Sequence, residues 1–297
     1  MLTTNQYYKN WVPHEILTST IKEIIYGGYF TALLGPALVI TTSILLNVNV
    51  NMALLIMCYL IPLMVYSFDY YQDMDKDQDN NQERVVHLKK KKKVYPYIML
   101  SYLLVLTTLL LLFSSWMMIL FILFLVMVGV IYSYGVKSFT HKIPAFKNIY
   151  TVIIWSLAGS FSVAFFYGFP LNLAYLLIFL TIFLKMLPNA IFFDLKDIKN
   201  DSNQGLKTIP VLLGKDETLK LLIYMNILAF IPFFVGIYLN IIPVFASIMI
   251  LFLFYSLYYL YKTSKINDED TKMDYYIFAD AEFILWPVIL FVGLILF

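Results

Sequence analysis

The chain has 297 residues, of which 61% are hydrophobic and only 13% are charged, and its mean hydropathy is +0.77. A water-soluble domain usually has roughly 45–50% apolar and about 25% charged residues, so the composition excludes a soluble fold and indicates a protein embedded in a lipid bilayer. The formal net charge of +2 argues against nucleic acid as a partner. The single cysteine, Cys58, excludes a framework of intramolecular disulfides.

Nine stretches of the sequence are long and apolar enough to cross a membrane, since a crossing helix needs about 20 mostly apolar residues. We therefore predict an all-α membrane protein with nine transmembrane helices that form a single domain over residues 1–297. The oligomeric state stays open. The predicted spans are 24–46, 50–68, 95–113, 116–134, 149–167, 172–193, 219–239, 241–261 and 276–296.

Positively charged residues are concentrated in alternate connections between these spans. The connections at 47–51, 114–115, 168–171 and 238–241 hold no charged residue, whereas the other four hold most of the 21 Lys and Arg residues. Cytoplasmic loops of membrane proteins carry the excess of Lys and Arg. We therefore predict a multi-pass protein of the plasma membrane with a cytoplasmic N-terminus and an external C-terminus.

The first acidic motif lies at the cytoplasmic end of the second predicted span. Asp69, Asp73 and Asp77 are four residues apart, which places the three carboxylates on one face if the helix continues. Like charges at this spacing repel each other, so such a face is unfavourable without a bound cation. An Asp-rich cytoplasmic loop can equally be a solvated surface, and one motif alone does not decide between these interpretations.

The second acidic motif lies at the cytoplasmic end of the sixth predicted span. Asp194, Asp197 and Asp201 again share one face of a helix, and the following segment 205–214 has turn residues at both ends and is predicted to be a loop. Mg²⁺ prefers oxygen ligands and typically binds through a few carboxylates together with substrate phosphates. Two facing motifs therefore predict a Mg²⁺ site and a diphosphate substrate whose apolar tail lies among the helices.

The second motif continues with the sequence GLKTIPVLLG at 205–214, and the whole pattern resembles the UbiA family of membrane prenyltransferases. That family has the form D-x-x-D-x-x-x-D followed by G-x-x-T-x-P-x-x-x-G. The first motif matches the family's N-x-x-x-D-x-x-x-D, with Asp69 in place of Asn. A third family segment is matched by Tyr132, Ser133, Lys137, Pro144 and Asn148.

The resemblance implies a nine-helix bundle around a central cavity that faces the cytoplasm. It also implies a Mg²⁺-dependent enzyme that transfers a prenyl group from an allylic prenyl diphosphate to a lipophilic acceptor and releases diphosphate. Such enzymes act in lipid or quinone biosynthesis. The residues assigned to metal binding are Asp69, Asp73, Asp77, Asp197 and Asp201.

The residues assigned to catalysis are Asp194, Lys137, Arg84, Tyr132 and Lys185. Arg84 and Lys137 each lie beside an acidic motif and are expected to bind the diphosphate. Many family members carry an Arg-Pro pair after the first motif, whereas Arg84 is followed here by two valines, which argues against a routine ubiquinone or menaquinone enzyme. Asp194 either binds metal or orients or deprotonates the acceptor.

Three ionisable residues, Lys185, Asp280 and Glu282, lie inside predicted spans. Charges within a membrane are costly, and each is by default a functional hypothesis. Lys185 lies nine residues before Asp194, or roughly 13 Å deeper along the helix. It either reaches the substrate cavity, extends towards the interface or pairs with Glu282, whereas Asp280 is expected to be solvated at the membrane surface.

The alternatives are a membrane lipid transporter and a protein that binds prenyl lipid without turnover. Transporters typically place polar groups near the bilayer midplane, whereas the acids here cluster at the inner rim. A CDP-alcohol phosphotransferase would need a D-G-x-x-A-R-type motif, which the sequence lacks. The acceptor stays open among a quinone precursor, another aromatic, a glycerol-phosphate lipid, a porphyrin and a carotenoid.

Overall fold

The computed structural model describes residues 12–72, 74, 82–134, 136–265 and 274–297. Every regular element in these residues is helical, as the composition predicts. Three 3₁₀ helices are Val136–His141, Asp194–Asp197 and Val244–Ile250. The α-helices are α1 Val12–Tyr26, α2 Tyr29–Ala32, α3 Leu34–Leu45, α4 Met52–Gln72, α5 Gln82–Lys89, α6 Tyr95–Phe113, α7 Trp116–Tyr134, α8 Phe146–Tyr167, α9 Leu173–Phe193, α10 Ile198–Asn203, α11 Ile209–Leu228, α12 Ile231–Tyr238, α13 Leu251–Ser264 and α14 Asp274–Leu296.

Seven helical stretches in the described residues are long and apolar enough to cross a membrane. A bent pair, Ser19–Tyr26 with Tyr29–Leu45, is an eighth candidate, and Trp116–Gly129 is a shorter apolar helix. These stretches fall on the nine predicted apolar segments, although the number that crosses the bilayer stays a prediction. The seven are Met52–Gln72, Tyr95–Phe113, Phe146–Tyr167, Leu173–Asn203, Ile209–Tyr238, Val244–Ser264 and Ile277–Leu296.

Gly28 interrupts the first apolar segment between α1 and α2. Its φ of 80° lies in the left-handed region, which residues with a side chain adopt only with strain. A right-handed helix cannot continue through this conformation. The stretch 24–46, which the sequence predicts as one span, therefore contains the end of α1 and the whole of α2 and α3.

The helices group into two compact units. The single domain over residues 1–297 stays a prediction. The first unit contains α1, α2, α5 and most of α4 and α6, and the second contains α3 and α7 to α14. The first unit consists of Met1–Leu33 and Tyr59–Thr108, and the second of Leu34–Cys58 and Leu109–Phe297.

In the first unit, two contacts hold the part of α4 that leads to the first acidic motif. The Ser67 hydroxyl on α4 donates a hydrogen bond to the Gly27 carbonyl oxygen at 3.3 Å. Tyr71, near the end of α4, stacks on Tyr95 at the start of α6, with ring centroids 3.5 Å apart. The end of α4 is therefore attached both to the break after α1 and to α6.

In the second unit, α3, α8, α9 and α14 contribute to one apolar core. Gly159 lets α8 approach α3 closely, because a Cβ atom there would lie 2.8 Å from the Cβ atom of Leu38. The Thr42 hydroxyl donates to the Gly159 carbonyl oxygen at 2.8 Å across the same crossing. Small residues at helix crossings are typical of membrane proteins. The largest fully buried core side chains include Leu38, Ile178, Ile182, Phe233, Phe283 and Trp286.

The segment 205–214, which the sequence predicts as a loop, is partly helical. Helix α11 begins at Ile209, with Pro210 in its first turn, where the missing N–H of proline is not needed. Gly214 has φ 77° and ψ 172°, so it interrupts the helical geometry inside α11. The loop prediction is therefore wrong for residues 209–213, which are helical. The predicted turn at Gly205 is present, with φ 69°.

Candidate active site

The second acidic motif lies where α9 ends and the helix geometry changes. Helix α9 ends at Phe193, the residues Asp194–Asp197 form a 3₁₀ helix, and Asp201 lies on α10. Their spacing predicts that the three acids share one continuous α-helix. This prediction is wrong, because they lie on a 3₁₀ helix and on α10. Asp194 and Asp201 are nevertheless both buried, with exposed fractions of 4% and 7%.

Asp194 is held by side chains from the first turn of α8. The Asn148 side-chain amide donates to Asp194 Oδ2 at 2.9 Å, and Lys147 Nζ lies 3.8 Å from Asp194 Oδ1. The Lys147 side chain is 55% exposed, so solvent screens this second contact. One oxygen of Asp194 is thus oriented by a hydrogen bond, while the other faces a cation that is accessible to solvent.

Two backbone hydrogen bonds explain why α8 begins beside the second motif. The Lys207 amide donates to the Thr140 carbonyl oxygen, and the Ala145 amide donates to the Lys207 carbonyl oxygen, each at 3.3 Å. The connection before α8 and the segment after the second motif are therefore joined. This places Asn148 within reach of Asp194.

Three buried side-chain oxygen atoms at this site, Asn148 Oδ1, Asp201 Oδ2 and Thr208 Oγ1, form no hydrogen bond of normal geometry with the residues that the structure describes, although the Thr208 hydroxyl lies close enough to interact with the Asp201 carboxylate. Leaving a buried polar group without a partner costs roughly 1–3 kcal/mol. Carboxylate and amide oxygens are ligands that Mg²⁺ accepts. The acids also repel each other, because the negative charges of Asp194 and Asp197 lie close enough to Asp201 to disfavour its ionised form. The donor set therefore fits a divalent cation.

The second motif does not form a complete metal site by itself. Within the described part of the chain, no group of three or more His, Cys, Asp or Glu side chains is arranged to hold a metal ion. Mg²⁺ is usually bound through one or two carboxylates, with water and substrate phosphates as the other ligands. A metal site built on the second motif thus requires further oxygen ligands from outside this motif.

The first acidic motif lies only partly within the described residues. Asp69 is exposed on α4, whereas Asp73 and Asp77 fall outside the described residues. The Arg84 guanidinium on α5 lies over the ring of Tyr70, 4.3 Å from its centroid. Arg84 is therefore beside the first motif, where the sequence predicts a group that binds diphosphate.

The backbone around the third family segment is described in part. Tyr132 lies near the end of α7, and Lys137 lies in the 3₁₀ helix Val136–His141. Their side chains lie outside the described part of the structure. The roles assigned to these two residues therefore stay predictions.

A protein-family model identifies the chain. The model described as the UbiA prenyltransferase family matches residues 28–286, which include both acidic motifs. The chain belongs to this family. No curated protein has a sequence that matches the chain significantly.

Solved structures share the fold of this UbiA-family protein. A UbiA homolog from Aeropyrum pernix K1 has a TM-score of 0.65 and 13% identity, covering 89% of this chain and 97% of that chain. A UbiA homolog from Archaeoglobus fulgidus bound to GPP and Mg²⁺ has a TM-score of 0.64 and 16% identity, covering 92% and 99%. A digeranylgeranylglyceryl phosphate synthase structure has a TM-score of 0.59 and 17% identity, covering 95% and 100%. At these identities the likeness establishes a common fold.

Lys185 lies at the centre of a buried polar network in this UbiA-family member. Its ammonium nitrogen is 2.6 Å from Glu282 Oε1 and donates to Asn226 Oδ1 and Ser256 Oγ, each at 2.7 Å. The Ser256 hydroxyl is also 2.9 Å from Glu282 Oε2. The four residues come from α9, α11, α13 and α14. The pairing of Lys185 with Glu282, one alternative from the sequence, is confirmed, and a catalytic role for Lys185 stays a prediction.

Two charged residues differ from what the sequence suggests. The expectation that Asp280 is solvated is wrong, because its side chain on α14 is buried, with an exposed fraction of 8%. Lys147 is not among the predicted site residues, although it contacts Asp194. The sequence did contain a signal for this contact, because Lys147 lies in the first turn of α8. A cation at that end of a helix opposes the helix dipole and is unfavourable unless an anion lies nearby.

Proposed function

We propose that this UbiA-family protein transfers a prenyl group from an allylic prenyl diphosphate to a lipophilic acceptor, with Mg²⁺ as cofactor and diphosphate as the second product. The observation that carries the proposal is the pair of buried aspartates, Asp194 and Asp201, on the family's second motif. One Asp201 oxygen accepts no hydrogen bond within the described residues and is available to a cation. The A. fulgidus homolog bound to GPP and Mg²⁺ supports the same donor chemistry here.

The proposed metal ligands come from both acidic motifs. Asp197 and Asp201 would supply oxygens from the second motif, and Asp69, Asp73 and Asp77 would supply oxygens from the first. When bound, Mg²⁺ would offset the charge of the diphosphate and stabilise it as a leaving group. Five carboxylates would otherwise repel both each other and the substrate.

In the proposed reaction, the allylic C–O bond breaks and both of its electrons leave with the diphosphate. Arg84, Lys137 and Lys147 would stabilise the negative charge that develops on this leaving group, since preorganised charges at a developing anion lower the barrier most effectively. The apolar helices would exclude water, which would otherwise capture the allylic cation.

The second half of the reaction forms the new bond. A nucleophilic carbon or oxygen atom of the acceptor bonds to the allylic carbon and loses a proton. Asp194 would accept this proton or orient the acceptor, since the hydrogen bond from Asn148 fixes the position of its carboxylate. Tyr132 would help to position the substrate, as the family resemblance implies.

The proposed location is the plasma membrane, with the N-terminus and the active site on the cytoplasmic side. The charge-free connections alternate along the chain with the Lys- and Arg-bearing ones, so all of them fall on the external side of the predicted membrane, which supports this orientation. A cytoplasmic site gives access to soluble diphosphates, while a lipophilic acceptor enters from the bilayer.

Equilibrium binding of GPP to the purified protein tests the donor half of the proposal without knowledge of the acceptor. GPP should bind only with Mg²⁺, and a chelator should release it. Asp201→Asn and Asp73→Asn should each weaken binding by more than the roughly 10–100-fold that is typical of changes in the outer shell of a metal site. Two variants are matched controls and should bind GPP normally. Asp75→Asn is two residues from Asp73 and would lie on the opposite face if the helix continues, and Asp216→Asn changes an exposed acid on α11.

The possible outcomes separate the candidate functions. GPP binding that requires neither Mg²⁺ nor Asp201 would contradict the proposal. Binding that requires both, without transfer to any lipid, would support the alternative of a prenyl-lipid-binding protein without turnover.

A further inference from the structure

A lysine-rich turn in the first unit leads directly into a helix that is long enough to cross the hydrocarbon core of a membrane. Helix α6, which follows the turn, has 19 residues. At 1.5 Å per residue it spans roughly 28 Å, close to the thickness of the hydrocarbon core. Only 6% of the residues in its apolar stretch are buried inside the protein, as expected for a helix that faces acyl chains. If α6 crosses the bilayer as predicted, the turn at 89–93 lies where hydrocarbon gives way to headgroups.

The turn also forms one wall of a polar pocket against α1. The pocket has a volume of about 430 Å³. Its lining combines two hydroxyl groups, an imidazole and two ammonium groups with a single carboxylate, so donors outnumber acceptors. The lining residues are Ser19, Thr20, Glu23, His87, Lys90 and Lys91.

Glu23 gives the pocket its shape. Its Oε2 atom lies 2.7 Å from His87 Nε2 and 2.5 Å from Lys91 Nζ, so one acid orients two basic groups and attaches α1 to α5 and the turn. One carboxylate offsets only one positive charge. The side chains of the other lysines in the turn are exposed: Lys89, Lys90, Lys92 and Lys93.

We propose that this pocket binds the phosphate of an anionic glycerophospholipid from the surrounding leaflet. Hydroxyl and ammonium donors match phosphate oxygens, and each lysine near a membrane surface contributes to attraction of anionic lipid. Val94, just before α6, and Tyr97, in its first turn, are 53% and 73% exposed and offer apolar surface to the acyl chains. The depth of the turn favours a lipid over a soluble phosphate, and the proposal is independent of prenyl transfer.

Native mass spectrometry of the full chain in detergent, titrated with phosphatidylglycerol or phosphatidylcholine, tests this site. The wild type should bind phosphatidylglycerol more tightly than phosphatidylcholine. Lys90→Gln should weaken phosphatidylglycerol binding about fivefold, and Lys90→Gln with Lys91→Gln roughly 30-fold. These factors follow from about 1 kcal/mol of attraction per lysine, converted into a ratio of dissociation constants. Lys262→Gln with Lys265→Gln, at exposed positions on and just after α13, removes the same charge elsewhere and should have no such effect.

Three results would overturn the proposal. Equal losses in both double variants would mean that the lysines act only through the total charge of the protein. Displacement of phosphatidylglycerol by equimolar inorganic phosphate would indicate a site for soluble anions. A wild-type preference for phosphatidylglycerol that persists at high salt would also contradict the proposal, because salt screens the attraction between lysines and anionic lipid, and this measurement does not depend on the folding of the Lys90 and Lys91 variant.

Discussion

The buried pair of Lys185 and Glu282 allows a role in stability to be separated from a role in catalysis. The Lys185 ammonium has three oxygen partners within 2.7 Å, and both side chains of the pair are 1% exposed. Lys185→Met leaves the Glu282 carboxylate buried without its counter-ion. Glu282→Gln leaves the ammonium buried with only neutral partners.

Each single change should strongly reduce the free energy of unfolding. Removing one partner of a buried ion pair typically costs about 3–5 kcal/mol, because the other charge stays buried without compensation. The double variant Lys185→Met with Glu282→Gln contains no buried charge at this position. Its loss of stability should therefore be smaller than that of either single variant, which is the non-additivity expected of residues in direct contact.

Unfolding of the purified protein in mixed micelles with increasing sodium dodecyl sulfate provides the assay. Lys220 and Glu217 on α11 form the matched control, because their ion pair has the same length of 2.6 Å but its side chains are 64% and 62% exposed. Lys220→Met and Glu217→Gln should leave stability nearly unchanged, since solvent screens an exposed pair.

Additive losses in the double variant would refute the coupling of Lys185 and Glu282. Prenyl transfer by the same variant then addresses catalysis. A stable double variant with wild-type transfer would show that Lys185 acts only in folding. A stable but inactive one would support the prediction that Lys185 is catalytic.

Three further predictions concern the site, the packing and the topology. Lys147→Met should weaken GPP binding about fivefold, the equivalent of roughly 1 kcal/mol for a half-exposed contact, and unchanged binding would exclude a role in holding diphosphate. Gly159→Ala should lower the unfolding free energy by roughly 1–3 kcal/mol through overpacking, whereas Gly129→Ala, which meets no atom within 4 Å, should not; equal effects would contradict the close crossing of α3 and α8. Cysteines introduced at Asn49 and Lys91 should react with impermeant reagents from opposite faces of the membrane, and labelling from one face would refute the predicted topology.

The helix positions are largely predictable because a membrane span requires an unbroken apolar run. The predicted span 95–113 coincides with α6, and 172–193 differs from α9 by one residue. The break at Gly28 is not predictable, since glycine also occurs within continuous membrane helices. The start of α11 at Ile209 is missed because its first turns contain charged residues and lie outside the apolar run.

The contacts at the site are less predictable because they depend on tertiary structure. The motif identifies Asp194 and Asp201 by spacing alone. Lys147 reaches Asp194 only because backbone hydrogen bonds join two connections that are distant in sequence. The partners of buried charges are similarly hidden: Asn226 and Ser256, on separate helices, contact Lys185 without any periodic signal in the sequence.

The most direct test of prenyl transfer follows a label from donor to product. The protein is reconstituted with a lipid extract of its own cells and supplied with an allylic diphosphate labelled in its prenyl chain. The label should move into an acid-stable lipid with release of one diphosphate per product. Transfer should require Mg²⁺, fail in Asp201→Asn and persist in Asp216→Asn. A wild type that binds the diphosphate with Mg²⁺ but leaves all of the label in the donor would contradict the proposed function.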